Sequence, residues 1–122
     1  MARILIIDDD TALRRTMRKV VERMGHMAEE AEDGAMGLRL FRDGSYDLVV
    51  TDLLMPEKEG IETIMELREE APEVKILAVS GGMTLDRTGP LEDAEALGAD
   101  ASLPKPFGVE DFMAAVESLL PR

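Results

Sequence analysis

Apolar residues along this chain fall into two rhythms. The first is a set of short, nearly unbroken runs: Arg3-Ile4-Leu5-Ile6-Ile7, Leu48-Val49-Val50-Thr51 and Lys75-Ile76-Leu77-Ala78-Val79. Unbroken Leu, Ile and Val over so few residues is the mark of a strand covered on both faces, as in a parallel sheet flanked by helices. Two further runs are weaker. Met27-Ala28-Glu29-Glu30-Ala31 is polar enough to belong at a sheet edge, and Ala101-Ser102-Leu103 runs straight into Pro104-Lys105-Pro106, which suits the opposite edge.

The second rhythm has helical spacing and fills the gaps. Leu13, Met17, Val20, Val21 and Met24 share one face, with Asp10 or Thr11 placed to cap the helix and Gly25 to end it. Asp33-Gly34 turns into a short helix through Leu38 and Phe41. From Gly60 a third helix turns Ile61, Ile64 and Met65 inward and stops before Pro72. Met83 to Gly98 is the least regular stretch, with Pro90 setting a fourth helix near Leu91. The last helix carries Val109, Phe112, Met113, Val116 and Leu119.

Strands thus alternate with helices in a (βα)5 pattern, without linker, repeat or low-complexity segment. That predicts one α/β domain over residues 1–122, a doubly wound parallel sheet with right-handed crossovers. With the second and fifth strands at the edges, the economical order is 2-1-3-4-5, a flavodoxin-like arrangement.

Composition narrows the picture. The formal charge is −12, which repels phosphate backbones and disfavours direct nucleic-acid binding. No cysteine is present, so disulfides and thiolate metal sites are excluded. No apolar run approaches the roughly 20 residues of a membrane span, and Met1-Ala2-Arg3 begins no signal-peptide pattern. The expected setting is cytoplasmic, without membrane partners. Nine methionines and few aromatics predict an aliphatic, pliable core.

Chemistry-bearing residues gather at the strand ends. The first strand delivers Asp8-Asp9-Asp10, the third Asp52, the fourth Ser80-Gly81-Gly82 and the fifth Lys105. Taken singly these are a helix cap, a turn and a solvated charge. In the order 2-1-3-4-5 the ends of strands 1 and 3 are neighbours, at the crevice where such sheets hold ligands. Asp8, Asp9 and Asp52 then converge, and two like charges at ~4 Å repel by about 4 kcal/mol at an effective dielectric near 20. Compensation must come from a cation or raised pKa values. All-oxygen ligands without His or Cys favour Mg2+. With Lys105 and the Ser80 hydroxyl nearby, the group suits a phosphoryl ligand. His26, after the Gly25 turn, reads as exposed, and Glu57-Lys58-Glu59 as a charged helix start.

Over essentially its whole length the chain resembles the receiver domains of two-component response regulators. Asp8-Asp9 is similar to their acidic pair, Asp52-Leu53-Leu54-Met55-Pro56 through Gly60 to their phosphoacceptor segment, Ser80 to their switch hydroxyl and Lys105-Pro106-Phe107 to their Lys-Pro-Phe motif. Gly25 to Gly34, with Ala31 and Asp33, is similar to their second-strand segment. The resemblance implies that Asp52 accepts a phosphoryl group from a histidine kinase or a histidine phosphotransfer protein. It further implies that Asp9, Asp52 and the Leu54 main-chain carbonyl hold Mg2+ with Asp8 acting through water, that Lys105 and Ser80 bind phosphoryl oxygens, and that the Lys105–Pro106 peptide is cis. Enzymatic action would be limited to self-phosphorylation and autodephosphorylation. Output would pass to a downstream protein through the fourth and fifth helices, and since the last helix ends the chain, a stand-alone receiver without an output domain is expected.

Three departures bear on output. Ser102 stands where the family usually has Tyr or Phe, so an aromatic switch cannot operate in that form. Ser80 to Gly98 is longer than usual and holds Gly81, Gly82 and Gly89, which makes it the expected reporter of phosphorylation. Leu54 and Gly82 offer no polar group to orient water, so slow hydrolysis is expected. Two rival functions remain. Asp8-Asp9-Asp10-Thr11-Ala12 resembles the Asp-x-Asp motif of haloacid-dehalogenase-like phosphatases, with Asp8 as nucleophile, although Ala12 replaces the usual Thr or Val and little chain is left for a cap. The other rival is a receiver-like binding module that is never phosphorylated.

Overall fold

The computed structural model describes residues 1–53, 59–80 and 98–120. Five strands, β1 (Arg3–Ile7), β2 (Met27–Ala31), β3 (Leu48–Asp52), β4 (Lys75–Ser80) and β5 (Ala101–Pro104), form one parallel sheet in the order β2-β1-β3-β4-β5. The helices are α1 (Thr11–Arg23), α2 (Gly34–Asp43), α3 (Glu59–Glu70) and α4 (Val109–Leu119). This is the doubly wound, flavodoxin-like α/β fold that the two rhythms imply. The helix expected near Leu91 lies in residues 81–97, outside the described residues, so the last helix is α4.

Strand side chains alternate between faces, and each face has its own core. Leu5, Ile7, Val49, Ile76 and Ala78 pack with Leu38 of α2 and with Ile64 and Leu67 of α3. Ile4, Ile6, Leu48, Val50, Leu77 and Val79 pack with Met17 and Val21 of α1 and with Phe112 and Val116 of α4. Edge strand β2 buries only Ala31 fully, as its Glu-rich sequence requires.

Local signals set the helix ends. Asp10, not Thr11, caps α1, its carboxylate accepting from Leu13 N at 3.1 Å. Gly25 follows α1 at φ +96°, a left-handed conformation that favours glycine. Asp33 caps α2 by accepting from Met36 N at 2.8 Å. Gly37 lets α2 lie against β1: a Cβ there would stand 2.3 Å from Ile7 Cδ1, just before the acidic pair begins.

Three expectations need correction. Met65 is 48% exposed, and Leu67 takes the inward position. With Ile64 and Leu67 buried, Met65 points about 160° away from Leu67 around the helix. Val109 is 53% exposed because the α4 stripe centres on Phe112 and Val116, leaving the first turn in solvent. His26 is half-buried, its Nδ1 accepting from Ala2 N at 3.0 Å. Among the described residues, no helix is long and apolar enough to cross a membrane.

Candidate functional site

β1 ends at Ile7, so Asp8 emerges from the sheet beside β3, whose Thr51 is aligned with Ile7. Asp8 is fully buried, and all four of its polar groups are engaged. Its N–H donates to Ala31 O at 3.1 Å and its carbonyl accepts from Arg14 Nη1 at 2.8 Å. Its carboxylate accepts from Asp10 N at 2.9 Å and from Lys105 Nζ at 3.0 Å. Asp9, the next residue, is exposed.

Asp52 closes β3 and is buried, with one carboxylate oxygen 3.5 Å from Lys105 Nζ. Asp8, Asp9 and Asp52 each offer an oxygen within 4.8 Å of the others. Ser80 closes β4, buried and aligned with Pro104 of β5. Its carbonyl accepts from Lys105 N at 2.6 Å, and the Lys105–Pro106 peptide is cis. Ser102 is half-buried in β5, opposite Ala78. Thus the structure brings Asp8, Asp9, Asp52 and Lys105 together, with Ser80 at the end of the adjacent strand. Leu54, Gly81 and Gly82 lie outside the described residues, as does most of the segment expected to report phosphorylation.

Electrostatically the site is unbalanced. Burial pushes the Asp8 carboxyl above the usual carboxylate range, against the Asp10 amide, and the Asp52 charge pushes it further while Lys105 opposes both. Among the described residues one ammonium faces three carboxylates, an excess of negative charge that a divalent cation would offset. The donors are all oxygen, one of the three acids is open to solvent, and Asp52 lies within reach. That donor set fits Mg2+ with several waters retained. Surface recesses of about 490 and 530 Å3, one between α2 and α3 and one at the amino ends of the strands, contain none of these residues.

Arg14 escaped the sequence reading. Its signal was present: it lies on the α1 stripe with Met17 and Val21, where a charged side chain needs partners.

A family model described as the response regulator receiver domain matches residues 4–117. The chain is 38% identical over 122 residues to the transcriptional regulatory protein CpxR of Klebsiella pneumoniae, covering all of this chain and 50% of that protein. It is 36% identical over 120 residues to the response regulator MprA of a Mycobacterium species, covering 98% of this chain and 51% of that one. The chain therefore spans about half the length of these curated relatives. Among solved structures, response regulator protein TrrA from Thermotoga maritima, in complex with Mg2+ and BeF, matches with a TM-score of 0.86 at 29% identity, covering 98% of this chain and 100% of that one.

Proposed function

The chain belongs to the response regulator receiver domain family, and from that premise we propose that it takes a phosphoryl group onto Asp52 and passes the signal on through protein contacts. The donor is a phosphohistidine of a sensor kinase or a histidine phosphotransfer protein. A carboxylate oxygen of Asp52 attacks phosphorus as the N–P bond breaks. The electron pair returns to the imidazole, and an acyl phosphate remains. Lys105, lying between Asp8 and Asp52, holds one phosphoryl oxygen, and the Ser80 hydroxyl takes another. Asp9, Asp52 and the Leu54 carbonyl are the ligands proposed for Mg2+, with Asp8 acting through water. When bound, that ion neutralises charge on the transferring group.

The observation carrying this reading is the convergence of three acids and one lysine at the ends of β1, β3 and β5. The phosphatase alternative fits less well, because the family model that matches residues 4–117 is that of the receiver domain. The downstream target is proposed to be a protein that meets the last two helices of the family pattern.

The test is incubation with acetyl phosphate and Mg2+, followed by mass mapping of the trapped acyl phosphate. Label on Asp52, its loss in Asp52→Asn and its absence without Mg2+ are expected. Label on Asp8 would establish the phosphatase reading instead, and no label at all the unphosphorylated module.

A further inference from the structure

We propose that Arg14 is a positioning residue for the cation ligand Asp9, its guanidinium gripping the Asp8 carbonyl from inside the fold and holding the turn through Asp8, Asp9 and Asp10 in its ligating shape. This rests on the cation site proposed above and adds a residue to its machinery.

Arg14 is only 8% exposed. A guanidinium in such a place must have its fork satisfied. Nη1 donates to Asp8 O at 2.8 Å and Nε to Glu30 Oε1 at 2.7 Å. Glu30 is pinned in turn, its other oxygen accepting from Arg18 Nη1 at 3.1 Å, while Arg18 Nε donates to Glu22 at 3.1 Å. A continuous polar chain therefore runs from α1 through the β2 edge to the main chain of Asp8.

The consequence falls on Asp9. Asp8 before it is tied at all four polar groups. Asp10 after it is tied through its N–H to Asp8 and through its carboxylate to Leu13 N. Asp9 is the exposed acid between two anchored neighbours. Repulsion from Asp8 and Asp52 would otherwise push it outward in the metal-free protein, and ordering it again would weaken cation binding. Among the main-chain anchors of Asp8, the Arg14 bond is the one made by a side chain, so substitution can remove it.

A bystander role predicts the opposite sign. If Arg14 were only a nearby positive charge, removing it would tighten the hold on a dication by Coulomb's law. Loss of positioning loosens it. A purely structural role would lower the melting temperature and leave the affinity unchanged.

Calorimetric titration of the full chain with Mg2+ separates these. Arg14→Ala should raise the Mg2+ Kd about tenfold. Arg14→Lys should raise it about threefold, because one ammonium cannot bridge the Asp8 carbonyl and the Glu30 carboxylate as the planar fork does. Arg15→Ala, an exposed charge on the same helix, should leave Kd unchanged or slightly lower. In the metal-free protein, the Asp10 amide should exchange faster in both Arg14 variants. Wild-type or tighter Kd in both Arg14 variants overturns the proposal, and if Arg14→Ala does not fold, Arg14→Lys decides alone. A wild-type isotherm that Asp9→Asn leaves unchanged overturns the cation site itself. Dependence on Asp9 without dependence on Arg14 overturns this proposal only.

Discussion

The two ends of the sheet are built on opposite electrostatic plans. At the amino ends of the strands, acceptors meet donors. Asp47 accepts from Arg3 N at 2.9 Å, Asp100 from Ile76 N at 2.8 Å, and His26 from Ala2 N at 3.0 Å. The Arg3 guanidinium bonds Glu29 at 2.9 Å and lies 5.0 Å over the Tyr46 ring. At the carboxyl ends of β1 and β3, three acids crowd around one lysine. By Coulomb's law the first plan favours the folded chain, whereas like charges in the second work against it.

Breaking the well-paired end should have the largest effect. Arg68 Nη1 donates to the carbonyls of Pro72 and Val74, both at 2.8 Å, and Nη2 donates to Gly98 O at 2.6 Å and to the Asp100 carboxylate at 2.8 Å. This fork ties the end of α3 to the approach to β5. Arg68→Ala should cost about 3 kcal/mol by leaving several carbonyls and Asp100 without their charged donor. Thermal unfolding should fall by about 10 °C for a domain of this size. Phosphate uptake per folded molecule should not change. Uptake lost along with stability would show that the two ends are not separable.

The crowded end should respond with the reverse sign. Asp9→Asn removes one of three like charges and none of the hydrogen bonds described above. Without metal the variant should be more stable than the parent, by about 1 kcal/mol. Excess Mg2+ should invert the order, since binding at 100 times Kd stabilises the parent by about 2.7 kcal/mol and the variant by far less. Paired melts in chelator and in Mg2+ measure both signs. A variant less stable in chelator would mean that the acids do not repel one another appreciably.

The two ends also differed in how well they could be read from sequence. Unbroken apolar runs give strand positions, and the polar β2 gives the edge, so the order of the sheet follows. Asp8, Asp9, Asp52, Ser80 and Lys105 were visible because each ends such a run. Arg68 was not, since most of its partners are carbonyls, which carry no signature in the residue type. Arg14 is hard to read because it shares the α1 stripe with Met17 and Val21, and such a stripe is recognised by its apolar members. Met65 and Leu67 exchange roles because they flank Ile64 on opposite sides of the helix, and either flank can be turned towards the sheet. The choice among them depends on how the helix is rolled against β3 and β4, a tertiary quantity.

The smallest effect sharpens the comparison at one atom. Tyr46 is the chain's only tyrosine, and there is no tryptophan, so tyrosinate absorbance reports this ring alone. Burial and then the hydrogen bond its hydroxyl donates to Glu29 push the Tyr46 phenol up to about 12. An unfolded tyrosine ionises near 10. The folded value is the higher, so this contribution to stability is complete below pH ~10 and is lost as pH rises towards about 12. Absorbance titration of the native protein should show a midpoint well above that of free tyrosine. Glu29→Gln should lower it, because the neutral amide neither repels tyrosinate nor accepts a charge-assisted bond. The Mg2+ isotherm should stay the same in that variant, since Glu29 belongs to the paired end. An unshifted midpoint in Glu29→Gln would mean that burial alone sets the phenol, and that the Arg3–Glu29–Tyr46 cluster is not the electrostatic anchor that sets this end of the sheet apart from the other.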